Sequence, residues 1–210
     1  MKIAWTFVAA VIFALIFSVP AYAVPAPTEA IKSTVDAVIE TLKDKGLSGK
    51  KQERREKITA LIKNRFDFEE MSRRSLATHW PKRTPEEKKE FTGIFSELLI
   101  ESYIGKIESY TDEKITYDKE SFREDGKTGV VDTTIVTKNV KIPIEYRVLL
   151  KGDKWWVYDV VIEGVSFIST YRSQYNQIIV RESYEGLVRK MKSKVEEIKA
   201  LEDAGAPARK

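Results

Sequence analysis

The side chains that could do chemistry in this chain are few and poorly arranged for it. A single histidine, His79, lies in "ATHWPKR", and cysteine is absent. One histidine makes no imidazole cluster. Neither an H-E-x-x-H nor a C-x-x-C spacing occurs, so no metal site is expected. Ser166 in "EGVSFI" sits between an apolar run and a helical pattern, where a nucleophile elbow would place its serine. That elbow needs glycines on both sides. Only Gly164 is present, and Ser166 reads as a helix N-cap. Asp159 and Glu163 share one face of a strand at roughly 13 Å along its axis, against the ~5 Å of a retaining carboxylate pair. A carboxylate inside an apolar run still needs a cation or N–H donors. Arg172 is the expected partner of Asp159, in a structural ion pair. No catalytic residue and no cofactor are expected.

The elements that position these residues follow from periodicity. Ile31, Val35, Val38, Ile39 and Leu42 recur at helical spacing, and a second helix is expected from Gln52 to Arg65. Asp67 caps the next, "FEEMSRRSLATHW". Thr84, Pro85 and Glu87 make a capping box with proline at the first helical position. Behind it, Phe91, Phe95, Leu98, Leu99 and Tyr103 form a broad stripe, widened by Ile94, Ile100 and Ile104 beyond one flat contact.

After Tyr110 the period changes. "EKITYDK", "TGVVDTTIVTK", "VKIPIEYRVLLK" and "KWWVYDVVIE" read as four strands joined by hairpin turns. In the third, Ile142, Ile144, Tyr146, Val148 and Leu150 share a face, and Pro143 must sit where no ladder bond is needed. Helical patterning returns with Ile168, Tyr171 and Tyr175, then Leu187, Met191 and Val195. The expected fold is α+β: a four-stranded twisted antiparallel sheet, with helices before and after it packed on one face.

The opening "MKIAWTFVAAVIFALIFSVPAYA" has Lys2, an apolar core and an Ala21-Tyr22-Ala23 cleavage pattern. It reads as a signal peptide over residues 1–23, with an uncleaved anchor as the rival. Residues 24–203 then form a single domain and 204–210 a polar tail. The net charge of +4 is a small excess of interleaved charges, so no nucleic-acid footprint is expected. The 42 % hydrophobic content supports one core, and composition does not say whether that core is filled or hollow.

Three stretches go further. "RFDFEEMSRRSLATHW", "TPEEKKEFTGIFSELLIESY" and above all "WWVYDVVIEGVSFISTYRSQYNQII" resemble the MlaC family, also called toluene-tolerance auxiliary proteins, from about Thr34 to Met191. Ala77-Thr78 and Thr170 depart from its usual residues. The resemblance implies a periplasmic carrier that shuttles glycerophospholipid between an outer-membrane lipoprotein complex and an inner-membrane ABC transporter with an MCE-domain subunit. Bound phospholipid would be cargo in an apolar cavity between helices and sheet. A hopanoid-associated carrier of the same family is the alternative, as is a periplasmic adaptor or chaperone without ligand. On this reading Phe95, Leu98, Leu99 and Tyr103 line the cavity from the helix, and Ile144, Tyr146 and Val148 from the strand. Val161, Val165 and Ile168 close its mouth or end.

Overall fold

A computed structural model describes residues 24–123 and 126–204. The expected signal peptide and most of the polar tail lie outside the described residues. Helices α1 (Pro27–Lys43), α2 (Lys51–Lys63), α3 (Phe68–Leu76) and α4 (Pro85–Glu108) precede the sheet. Strands β1 (Lys114–Phe122), β2 (Thr128–Val136), β3 (Lys141–Lys151), β4 (Lys154–Ile162) and β5 (Val165–Ser166) follow. Helices α5 (Phe167–Glu182) and α6 (Tyr184–Asp203) complete the domain. No described helix is long and apolar enough to cross a membrane.

The sheet is antiparallel in chain order, β1-β2-β3-β4-β5. It has five strands where four are expected. The fifth is only Val165 and Ser166, paired with Ile162 and Val161. Glu163 and Gly164 between them have φ of 49° and 81°, the positive values a two-residue primed hairpin needs. Gly164 meets that need freely, and Glu163 carries the strain. Glu163 is therefore a turn residue, not a carboxylate on the strand. A two-residue strand is too short for alternation to reveal. Pro143 sits in the central strand β3, and its carbonyl accepts from Glu163 N at 3.0 Å. Its missing donor thus falls where β4 has just ended.

The starts of α3 and α4 have local causes. Thr84 Oγ1 accepts from Glu87 N at 3.2 Å, and Glu87 returns a carboxylate to Thr84 N at 2.8 Å. Asp67 caps α3 through Glu70 N at 2.9 Å. Thr84→Ala is expected to lower stability by about 1 kcal/mol, read as a shift in urea midpoint at unchanged slope.

The apolar interior falls into three clusters. One joins α3, α4, α5 and α6 through Phe91, Phe95, Tyr175 and Leu187. One joins α1 to the sheet through Ala30, Ile31, Val131, Val148 and Val157. A small third joins α2 to α4 through Ile58, Ile100 and Ile104. The wide stripe of α4 now has a reason: one part packs on α5 and α6, the other on α2. Arg55 ties the same elements at the surface, donating to Glu108 at 2.9 Å and to Glu202.

Candidate functional site

The residues expected to line a cavity divide between the clusters. Phe95, Leu98, Leu99 and Ile168 are buried in the helical cluster, where Phe95 meets Tyr171 and Tyr175 edge-on at 5.2 and 5.8 Å. Ile144 and Val148 are buried in the sheet cluster. Val161 is buried but lies across from Glu145, on the opposite face from Tyr146. Val165 is 59 % exposed, on the edge strand. The structure brings neither of these two together with the rest, and the two clusters meet through Phe66 and Phe167, which pack against both.

Between the clusters runs a seam of partly exposed aromatic side chains. Phe167 packs against both, and Tyr103 stacks on Phe167 with ring centroids 4.6 Å apart. Tyr146 stands deep on the sheet side, where burial pushes its hydroxyl up to about 12. It nevertheless keeps accessible surface. Tyr117 lines the same side of the sheet. Its hydroxyl is buried without a hydrogen-bond partner, and burial also raises its pKa. Tyr175, buried in the helical cluster, likewise has a hydroxyl without a partner. Sequence reasoning singles out neither Phe167 nor Tyr117, since Phe167 is a first-turn helical residue and Tyr117 one aromatic in a polar strand.

On the other face of the sheet, across from Arg147, Asp159 joins strand to helix. It is almost fully buried and accepts from Ser166 Oγ at 2.6 Å, Ile168 N at 3.1 Å and Arg147 Nη1 at 3.2 Å. Ser166 also caps α5 through Ser169 N at 3.0 Å. The cation is thus Arg147, not the expected Arg172, whose guanidinium donates to Ser169 Oγ at 3.3 Å. A bulge explains the difference. Arg147 pairs with Asp159 but Val148 pairs with Val157, so Tyr158 is an extra residue that turns Asp159 toward its β3 neighbour. His79 Nε2 lies 2.9 Å from Asn176 Oδ1, linking the turn after α3 to α5. Among the described residues no group of His, Cys, Asp and Glu could hold a metal.

On α3, Glu70 accepts from Arg73 at 2.6 and 2.7 Å and from Arg74 at 2.7 Å. Arg73 first and Arg74 second hold its carboxyl down to about 2, against the opposing effect of burial. A depressed carboxylate stabilises the fold above its ordinary range, and that contribution disappears as pH falls from about 4.5 toward 2. Glu70→Gln is expected to flatten the decline in melting temperature across that window, measured in parallel with the unsubstituted protein.

The family model for MlaC protein matches residues 32–193. The chain belongs to the MlaC family. It is 25 % identical over 120 residues to the intermembrane phospholipid transport system binding protein MlaC of Haemophilus influenzae, covering 55 % of this chain and 56 % of that one. It is 27 % identical over 101 residues to a toluene tolerance protein, ttg2D, of Pseudomonas putida, covering 48 % of this chain and 46 % of that one. The matches span about half the length of these curated relatives. The fold is similar to a phospholipid-binding protein from Ralstonia solanacearum solved in complex with a phospholipid. The TM-score is 0.76 at 25 % identity, over 83 % of this chain and 99 % of that one. In this MlaC-family chain, Phe66 and Phe167 join the α1–sheet cluster to the helical cluster.

Proposed function

We propose that this protein is a phospholipid carrier of the periplasm. It holds acyl chains in the seam between the α1–sheet cluster and the helical cluster. It shuttles lipid between an outer-membrane lipoprotein complex and the MCE-domain subunit of an inner-membrane ABC transporter. The observation that carries this reading is the seam itself. Tyr103 and Phe167 stack where the clusters meet, and on the sheet side Tyr146 keeps surface while the Tyr117 hydroxyl has no hydrogen-bond partner. Family membership and the likeness to a phospholipid complex support it.

The physical need is large. Exposing roughly thirty methylenes of a diacyl lipid at ~0.8 kcal/mol each costs on the order of 20 kcal/mol, so unaided crossing of water is prohibitive. A carrier supplies apolar lining and must part to release its cargo. Clusters joined through a few aromatic contacts can separate at lower cost than one continuous core. No bond is made or broken, and this reading assigns no catalytic residue.

Protein purified without detergent is expected to carry phospholipid in native mass spectrometry, identified after extraction. A lipid-free protein that takes up none from vesicles would overturn the reading. In that event an adaptor or chaperone with a closed seam would stand in its place.

A further inference from the structure

The side of the sheet away from α1 carries a different kind of surface. Arg147 alternates along β3 with Tyr146 and Val148, so it faces away from the seam. There a cleft of about 420 Å³ opens between β3, β4 and the adjoining ends of α3 and α5. This is within the size range of small-molecule sites. Its walls hold five arginines, Arg73, Arg74, Arg123, Arg147 and Arg172, and one carboxylate, Asp159.

Among the described residues, fewer carboxylates than arginines are bonded in this cleft. Arg147 meets Asp159 and Glu145, and Arg73 and Arg74 share Glu70. Among the described residues the five guanidiniums bond three carboxylates, Glu70, Glu145 and Asp159, and Asp67 adds a longer-range attraction on Arg73. Several of the arginines are held in place. Arg74 lies over the Tyr158 ring at 4.0 Å while its Nε bonds Glu70. Arg147 is fixed by Nε on Glu145 and Nη1 on Asp159. A guanidinium has five N–H donors, so each keeps donors for a ligand after these bonds. Arg172 uses Nη2 on Ser169. Gathering like charge in one concave volume is unfavourable unless an anion offsets it. Several planar forks around one volume suit a group with three or four oxygens better than the two of a carboxylate.

We propose that the five-arginine cleft between β3, α3 and α5 is a binding site for a phosphate group, separate from the acyl seam. Asp159 is a positioning residue in it, holding Arg147 by charge and the start of α5 by Ser166 and Ile168. The phosphate belongs either to a free phosphate or to the headgroup of an anionic lipid at a membrane surface. The site follows from the arginines alone and does not depend on the carrier reading.

The test compares the unsubstituted protein with Arg172→Gln and with the double variant Arg123→Gln/Arg172→Gln. A third protein, Lys45→Gln/Lys51→Gln, removes the same charge from the exposed α1–α2 connection and the first residue of α2. Inorganic phosphate binding is followed by calorimetry. Vesicle binding is followed by sedimentation, using phosphatidylcholine with and without phosphatidylglycerol. Each arginine removed is expected to weaken binding about tenfold, while the lysine variant binds as the parent does. Binding to inorganic phosphate alone assigns the site to free phosphate. Binding only to vesicles with phosphatidylglycerol assigns it to the headgroup. No binding to either overturns the inference, and so does equal weakening by the lysine variant. Lipid retained in the seam is measured on the same samples by native mass spectrometry and is expected to stay at the parent level. Its loss together with phosphate binding would overturn the separation of the two sites.

Discussion

Tyr103→Glu is expected to reduce retained phospholipid by more than about tenfold, while Tyr103→Phe retains it at the original level. Tyr103 stands on α4 at the seam, stacked on Phe167 at 4.6 Å. It is not fully buried. A glutamate there can reach water when the seam is empty, and it favours helix, so the fold is preserved. Acyl chains in the seam would desolvate the carboxylate, and an unpaired charge in apolar surroundings is strongly disfavoured. The pH dependence is a second readout. Desolvation raises a carboxyl pKa, so lowering the pH should neutralise the introduced carboxylate and restore lipid retention. Native mass spectrometry over a pH series checks both. Full occupancy of the glutamate variant at neutral pH would show that the chains lie elsewhere.

Asp159→Ala should lower stability by about 3 kcal/mol, seen as a reduced urea midpoint. The substitution leaves Ile168 N without its acceptor, removes one of the two partners of Ser166 Oγ, and deprives Arg147 of a carboxylate. The charge part is smaller than for a fully buried pair. The Arg147 side chain keeps 34 % of its surface and retains Glu145. Arg172→Ala, by contrast, should change stability by less than about 0.5 kcal/mol. A double-mutant cycle between Asp159 and Arg147 should give a coupling on the order of 1 kcal/mol, and one between Asp159 and Arg172 a value near zero. The reverse pattern would restore the pairing expected from sequence.

That pairing shows where sequence reasoning stops. An acid inside an apolar strand is visible in the chain, and the need for a partner follows from solvation. Which arginine supplies it depends on a one-residue bulge at Tyr158, and nothing in the spacing of "WVYDVVIE" announces it. Arg147 and Arg172 lie almost equally far from Asp159 along the chain, one before it and one after. Antiparallel pairing brings β3 alongside β4 and so selects Arg147. Ser166 is legible as a cap because capping is local. Strand β5 is not legible, because two residues carry no period and their pairing depends on a Glu163–Gly164 turn with a non-glycine residue at positive φ.

The lining divides in the same way. The α4 stripe is wide in the sequence, and width alone suits either a cavity or several packing partners. In the structure Phe95, Leu98 and Leu99 lie in the cluster with α5 and α6, and Ile100 and Ile104 in the cluster with α2. The alternating face of β3 reads as one surface and is one, since Ile144, Tyr146 and Val148 all meet the α1–sheet cluster.

By itself the sequence determined the α+β order, the helix starts at Asp67, Thr84 and Ser166, and the first four strands. It also carried the stretches that mark the family. All of these rest on interactions a few residues long: caps, turns and apolar periods. Only the tertiary structure decided which apolar faces close on each other and which arginine answers Asp159. It alone gathered Arg73, Arg123, Arg147 and Arg172 into one cleft. Those outcomes depend on distances between residues remote in the chain, which periodicity does not encode.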